Sequence, residues 1–300
     1  MKDQLKNLEK EITHLKSQNI DTKELENSFE LLKKQVRQSL TPWDRVQIAR
    51  DKDRPNALVY IDEIFEDFIE LHGDRYYRDD GAIVGGIATL DGTPVTVIAV
   101  VKGKTTEENI HRNFGMVHPE GYRKALRLMK QAEKFHRPII TLIDTPGAYP
   151  GIGAEERGQG EAIAQNLLQM MELSVPTISI VLGEAGSGGA LALSVTNEIW
   201  MLENAIYSIL SPEGFASILF KDASKAKDIV DLMKITSYDL KKLGIIENIF
   251  EEDENLMLNL KESLIKSLAE YSKMKPAKLL KLRYEKFRNI GDVIYEPQNS

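Results

Sequence analysis

Short apolar runs that alternate with amphipathic ones through glycine-rich loops predict an α/β body, flanked by an N-terminal helical hairpin and C-terminal helices. Residues 1–40 repeat apolar side chains at helical spacing, and the strand–helix alternation begins near residue 56. Beyond residue 254 the pattern is helical and lysine-rich, with no strand after it. The expected division is an extension over 1–40, a body over 41–253 and a C-terminal helical segment over 254–300.

In the extension, Leu5, Leu8, Ile12 and Leu15 form one helical stripe and Leu25, Phe29, Leu32 and Val36 a second. Ser17-Gln18-Asn19-Ile20 separates them, and Asp21 with Glu24 reads as a capping box. Such stripes need a surface to cover, on the body or on a partner; a solvated helical tail is the alternative. Thr41-Pro42 starts the next helix, with an N-cap hydroxyl followed by proline at the first helical position. A helix is expected over 57–71, burying Ile61, Ile64, Phe65 and Phe68. Strands over 82–90 and 94–101 are joined at Asp91-Gly92, a strong hairpin signal. Then follow helix 119–135, strand 138–143, helix 154–173, strand 175–182, a short helix over 188–195 and the strand Ile199-Trp200-Met201-Leu202. Helices over 254–272 and 276–289 close the chain.

The formal net charge is −7, which gives no support for nucleic-acid binding. The absence of cysteine excludes disulfides, thiol nucleophiles and thiolate metal sites. Met1-Lys2-Asp3-Gln4 lacks the apolar core of a signal peptide, and no apolar run approaches the roughly 18 residues of a membrane span. The expectation is a soluble, cytoplasmic protein.

Two loops that follow apolar strands could carry chemistry. One is Asp144-Thr145-Pro146-Gly147-Ala148-Tyr149-Pro150-Gly151, continuing to Glu155-Glu156-Arg157-Gly158. The other is Gly183-Glu184-Ala185-Gly186-Ser187-Gly188-Gly189, which opens into a helix. Glycine lets backbone N–H groups approach a phosphate, a carboxylate or a developing oxyanion. Tight turns alone would explain any single glycine; two such loops at one end of a sheet mark a ligand crevice.

Gly103-Lys104-Thr105-Thr106 imitates a phosphate-binding loop, but the glycine required five residues earlier is Ile98. The five histidines form no His-Glu-x-x-His pair, and Gly186-Ser187-Gly188 is too compact for a nucleophile elbow. Ser187 therefore reads as a turn residue, and Glu155 and Glu156 as helix-start carboxylates more than a base pair. With backbone donors and few side-chain catalysts, the chain needs a substrate that brings its own acid–base group.

Leu71-His72-Gly73-Asp74-Arg75, Arg112-Asn113-Phe114-Gly115-Met116, the run from Pro119 to Met129, both glycine loops and Ser211-Pro212-Glu213-Gly214 closely resemble the alpha-subunit family of bacterial, multi-subunit acetyl-CoA carboxylase carboxyltransferases. The similarity runs over 42–249, and Phe287-Arg288-Asn289-Ile290-Gly291 fits as well. The resemblance implies a crotonase-like fold of ββα turns. It implies transfer of the carboxyl group from carboxybiotin on a carrier protein to acetyl-CoA, making malonyl-CoA in the first committed step of fatty-acid synthesis. It places the biotin oxyanion hole at the backbone N–H groups of Gly188 and Gly189, within a cofactor turn of Gly186, Ser187, Gly188 and Gly189, with Gly147 and Ala148 on a companion loop. In that family the freed biotin nitrogen removes the acetyl proton, in keeping with the scarcity of side-chain bases.

The sequence departs from the family where Ala99-Val100-Val101 replaces Gly-His-Gln, at Ala185 and Gly160, and in lacking Gly-Gly-Ala-His near 251–255. Lys273-Met274-Lys275 inverts the Met-Lys-Met of a biotin acceptor, so the carrier is expected on another chain. The implied partners are a carboxyltransferase beta subunit holding the zinc, a biotin carboxyl carrier protein and an ATP-consuming biotin carboxylase, with an alpha2beta2 heterotetramer and no metal in this chain. Rival readings are a stand-alone crotonase-type hydratase, isomerase or thioesterase using Glu155 or Glu184, and a non-catalytic paralogue that scaffolds the complex.

Overall fold

The computed structural model describes residues 2–18 and 20–291; Asn19, the Leu5 side chain and residues 292–300 of the C-terminal segment lie outside the described residues. The chain divides into two compact units, Met1–Asp44 and Arg45–Ser300. In the first, helices α1 (Lys2–Ser17) and α2 (Lys23–Ser39) pack on each other, as the two stripes predict. The expected Asp21–Glu24 capping box does not form. Helix α2 starts one residue later than expected, with Thr22 at the N-cap position, so Asp21 accepts the Lys23 N–H at 3.1 Å and the Thr22 hydroxyl donates to Glu26 at 3.0 Å. Helix α3 (Pro42–Ala49) begins as predicted: Thr41 N–H donates to Asp44 Oδ2 at 2.9 Å and Asp44 N–H to Thr41 Oγ1 at 3.2 Å.

In the second unit, α4 (Ala57–Ile64) ends well before residue 71, and the edge strand β1 (Glu66–Glu70) takes over. Phe65 is extended at φ −112° and ψ 156°, and pairing with the next strand satisfies backbone groups that a longer helix would have used. Strands β2 (Ile83–Leu90) and β3 (Thr93–Val100) form the predicted hairpin, with Asp91 and Gly92 both at positive φ, 48° and 74°. A short helix α5 (Thr106–His111) precedes α6 (Pro119–Lys134) and strand β4 (Ile139–Thr145). The helix expected over 154–173 is split into α7 (Ile152–Glu156) and α8 (Gln159–Glu172), because Gly158 turns left-handed at φ 83°.

Strand β5 (Thr177–Gly186) leads into α9 (Ser187–Leu191), followed by β6 (Glu198–Leu202) and β7 (Ile206–Ser208). Helices α10 (Pro212–Phe220), α11 (Ala226–Met233) and α12 (Ser237–Lys242) come before β8 (Asn248–Phe250), α13 (Leu256–Tyr271) and α14 (Pro276–Asn289). The sheet order is β1-β2-β3-β4-β5-β6-β8, with β7 added to β5. From β3 onward all pairs on this path are parallel, so β3, β4, β5, β6 and β8 end on one edge. The apolar runs 95–100 of β3, 139–143 of β4, 178–182 of β5 and 199–202 of β6 are buried, as a sheet covered on both faces requires. Helix α13 turns Leu256, Leu260, Leu264 and Leu268 inward, and α14 is anchored by the buried Leu279 and Arg283.

Candidate active site

Both glycine loops leave the carboxyl edge of neighbouring parallel strands, β4 and β5, where crevices form in such sheets. They pack backbone to backbone. A Cβ on Gly186 would stand 2.1 Å from Pro146 O, and one on Gly189 would stand 2.5 Å from Ala148 N and 2.8 Å from Gly147 C. Both positions are therefore glycine because another main chain occupies the space. The structure thus brings Gly147 and Ala148 against the turn of Gly186, Ser187, Gly188 and Gly189.

Within that turn the residues differ. Ser187 is exposed at φ 54°, a left-handed conformation that costs a non-glycine residue energy and sharpens the exit from β5. Gly189 is buried, whereas Gly188 is half-buried, and the nearest atom to a Cβ on it is Ile163 Cγ2 at 3.7 Å. On the companion loop, Gly147 N–H already donates to Thr145 Oγ1 at 3.0 Å, and its φ of 146° bends the chain. Thr145 Oγ1 in turn donates to Gly115 O at 2.7 Å. The far side of this loop is fixed by Gln159 Nε2, which donates to Val117 O and Tyr149 O, and by Tyr149 stacked on His118 at 4.1 Å.

Beneath the loops lies a charge cluster that the sequence reading missed. Lys102, just after β3, places its ammonium 2.8 Å from Asp144 Oδ1 and 2.9 Å from Glu184 Oε2. Arg50 donates to Glu184 Oε1 at 2.7 Å and to Glu213 Oε1 at 2.7 Å. Arg54 bonds Glu252 and the Leu182 carbonyl. Burial acts to raise the Glu184 carboxyl, but Lys102 and Arg50 outweigh it and hold it below the ordinary range. Burial likewise acts to lower Lys102, and its two carboxylates outweigh that. Glu184 is thus committed to two cations and is no free base; Glu155 and Glu156 are exposed.

The imitation phosphate loop also has an explanation. Thr105 caps α5, accepting the Glu108 N–H at 3.1 Å, while Glu108 reaches back to the cap. Of the departures from the family pattern, Ala99, Val100 and Val101 are fully buried, Ala185 pairs with Thr145 at the loop root, and a Cβ on Gly160 would meet nothing within 4 Å. Among the described residues the one cluster with metal-ligand spacing is Glu70, His72 and Asp79, and the Lys124 ammonium sits 2.9 Å from Asp79. No helix of the described residues is long and apolar enough to cross a membrane.

A family model described as acetyl co-enzyme A carboxylase carboxyltransferase-like matches residues 1–291. The chain belongs to this family. It is 59% identical over 256 residues to the alpha subunit of acetyl-coenzyme A carboxylase carboxyl transferase from Clostridium perfringens, covering 83% of this chain and 94% of that one. The alpha subunit from Clostridium acetobutylicum is 57% identical over 270 residues, with 87% and 98% covered. A combined "subunits beta/alpha" protein of Natranaerobius thermophilus is 60% identical over 269 residues, 87% of this chain but 44% of that one. The chain thus spans about half the length of such combined relatives.

Solved structures give the fold of this carboxyltransferase-family chain. Transcarboxylase 12S with methylmalonyl-coenzyme A matches with a TM-score of 0.64 at 19% identity, covering 77% of this chain and 44% of that one. A Pseudomonas malonate decarboxylase hetero-tetramer with coenzyme A matches at 0.58 and 18%, covering 72% and 91%. The crotonase-like class expected from the sequence is the fold observed.

Proposed function

We propose that this chain is the alpha subunit of a two-subunit acetyl-CoA carboxylase carboxyltransferase, which moves a carboxyl group from carboxybiotin on a carrier protein to acetyl-CoA and forms malonyl-CoA. The observation that carries the reading is the packing of the turn of Gly186, Ser187, Gly188 and Gly189 against the loop of Gly147 and Ala148, with Gly188 half-buried at its tip and a Cβ there meeting only Ile163 Cγ2 at 3.7 Å. The donor set fits a ureido group, because an uncharged carbonyl oxygen needs N–H donors and no side-chain cation. When bound, carboxybiotin supplies the carboxyl group and a ring nitrogen able to take the acetyl proton.

This chain's part is to bind and orient. The N–H groups of Gly188 and Gly189 would hold the ureido oxygen, and Ala148 would flank it, while Gly147 shapes its loop with its N–H held by Thr145. One such donor is typically worth about 3–4 kcal/mol of barrier, so a pair supplies much of the rate without a side-chain base. The commitment of Glu184 to Lys102 and Arg50 weighs against a stand-alone hydratase or isomerase. The combined beta/alpha relatives support a beta-subunit partner, and the assembly proposed with it is an alpha2beta2 heterotetramer. That partner would hold the zinc, and the biotin carboxyl carrier and the ATP-consuming biotin carboxylase would be separate chains in the cytoplasm.

The test is malonyl-CoA-dependent carboxylation of biocytin by the purified chain, with and without a beta subunit. Activity is expected only from the pair. Full turnover by the single chain would overturn the two-subunit reading.

A further inference from the structure

We propose that Lys102 is a positioning residue: its ammonium locks the roots of the two glycine turns in one register, so that their backbone donors face a common point. This rests on the site reading above and deepens it.

The strand pair that carries both turns loses its register where alignment matters most. Along β4 and β5, Ile143 pairs with Val181, but the next pair is Thr145 with Ala185. Two residues of advance on β4 thus correspond to four on β5, and the ordinary ladder is interrupted between them. Side chains fill the gap. Asp144 Oδ1 accepts the Glu184 N–H at 3.0 Å, in place of a backbone acceptor. The same oxygen takes the Lys102 ammonium at 2.8 Å, and Glu184 Oε2 takes it at 2.9 Å. Gly183 is required here, since a Cβ on it would stand 2.6 Å from Asp144 Oδ1.

Asp144 lies just before the turn of Gly147 and Ala148, and Glu184 just before that of Gly188 and Gly189. Lys102 lies just beyond a third strand, β3, and belongs to neither turn, which suits a staple. The cluster is balanced and screened from water: the side-chain exposures of Lys102, Asp144 and Glu184 are 22%, 14% and 12%, and Arg50 supplies the second cation. Arg50 also bonds Glu213, so the lock extends to the start of α10.

Removing one charge from such a cluster strands another and can unfold the region, so the test uses a balanced pair of changes. Lys102→Met with Asp144→Asn leaves the Arg50–Glu184 pair intact, and the asparagine oxygen can still accept the Glu184 N–H. Assembled with a beta subunit, this double variant is expected to lose about tenfold in kcat with KM for malonyl-CoA within about twofold. Amide hydrogen exchange of the chain without any biotin compound is expected to speed up over 145–148 and 185–189 and nowhere else in the sheet. Lys102→Arg, which keeps the charge, is expected to restore most of both.

Wild-type kcat with unchanged exchange in the double variant would overturn the proposal, as would a Lys102→Arg variant as impaired as the double. Gly188→Ala, measured in parallel, separates the two levels. Wild-type turnover in Gly188→Ala sinks the site reading itself, whereas loss there with retention in the Lys102 variants sinks only the staple.

Discussion

Gly188 and Gly189 are neighbours with opposite physical roles. At Gly189 a Cβ would meet the backbone of the companion loop at 2.5 Å, so any side chain must push the loops apart, at about 1–3 kcal/mol or more for an overpacked site. A Gly189 variant would therefore lose activity whether or not its N–H meets a ligand. At Gly188 a Cβ finds only Ile163 at 3.7 Å, an ordinary contact, and the backbone is not left-handed. Gly188→Ala is thus the clean probe, expected to keep its thermal midpoint and its complex with beta. Its kcat is expected to fall about tenfold or more, through crowding of a group held in the transition state. Sequence alone does not separate these two, because a pair of glycines shows no difference until the neighbouring loop is in place.

Helix α14 shows how an element can be read correctly and its purpose missed. Its lysine-rich composition suggests a surface, yet Arg283 is fully buried and donates to the carbonyls of Met170 and Leu173 at 2.6 and 2.8 Å and to Asn197 Oδ1 at 2.7 Å. These carbonyls lie at and just beyond the end of α8, where helices leave acceptors unpaired. Burial pushes the guanidinium down to about 10. Arg283→Met keeps the bulk but orphans the acceptors, and is expected to destabilise the chain by about 2–3 kcal/mol, read by urea unfolding. A variant as stable as wild type would show that water replaces the guanidinium. Most elements were legible because their apolar period is strong, as in α6 and the β2–β3 hairpin. Helix α4 was overextended because Ile61, Ile64, Phe65 and Phe68 fit a helical stripe, whereas β-pairing to Thr89 and Ile87 decides where the helix stops. The short pieces β7, β8 and α12 carry too few residues to show a period, and α10 and α11 offer only about two turns each.

At the scale of the molecule, the two glycine loops were legible and the charges that fix them were not. Arg50 meets Glu184 across 134 residues of sequence and Glu213 across 163, and Arg54 meets Glu252 across 198; no local pattern joins such partners. This network has a consequence for pH. Glu184 and Glu213 are held below their usual value of 4.5, so each stabilises the fold above that pH and ceases to do so as pH falls through its lower folded value. Asp79, held near 2 against an ordinary 3.8, loses its share only as pH falls toward 2. Lys102 is raised above 10.5, so its share is complete below that value and is lost only as pH climbs through its folded value. The fold is therefore expected to hold steady through neutral pH and to weaken below about 4.5. Glu184→Gln isolates one contributor. Its unfolding free energy should fall furthest behind wild type near neutrality, and the gap should close as acid protonates Glu184 in the wild-type chain. A gap that stays constant from pH about 7 down to about 3 would mean that the lost stability comes from altered packing and not from the charge.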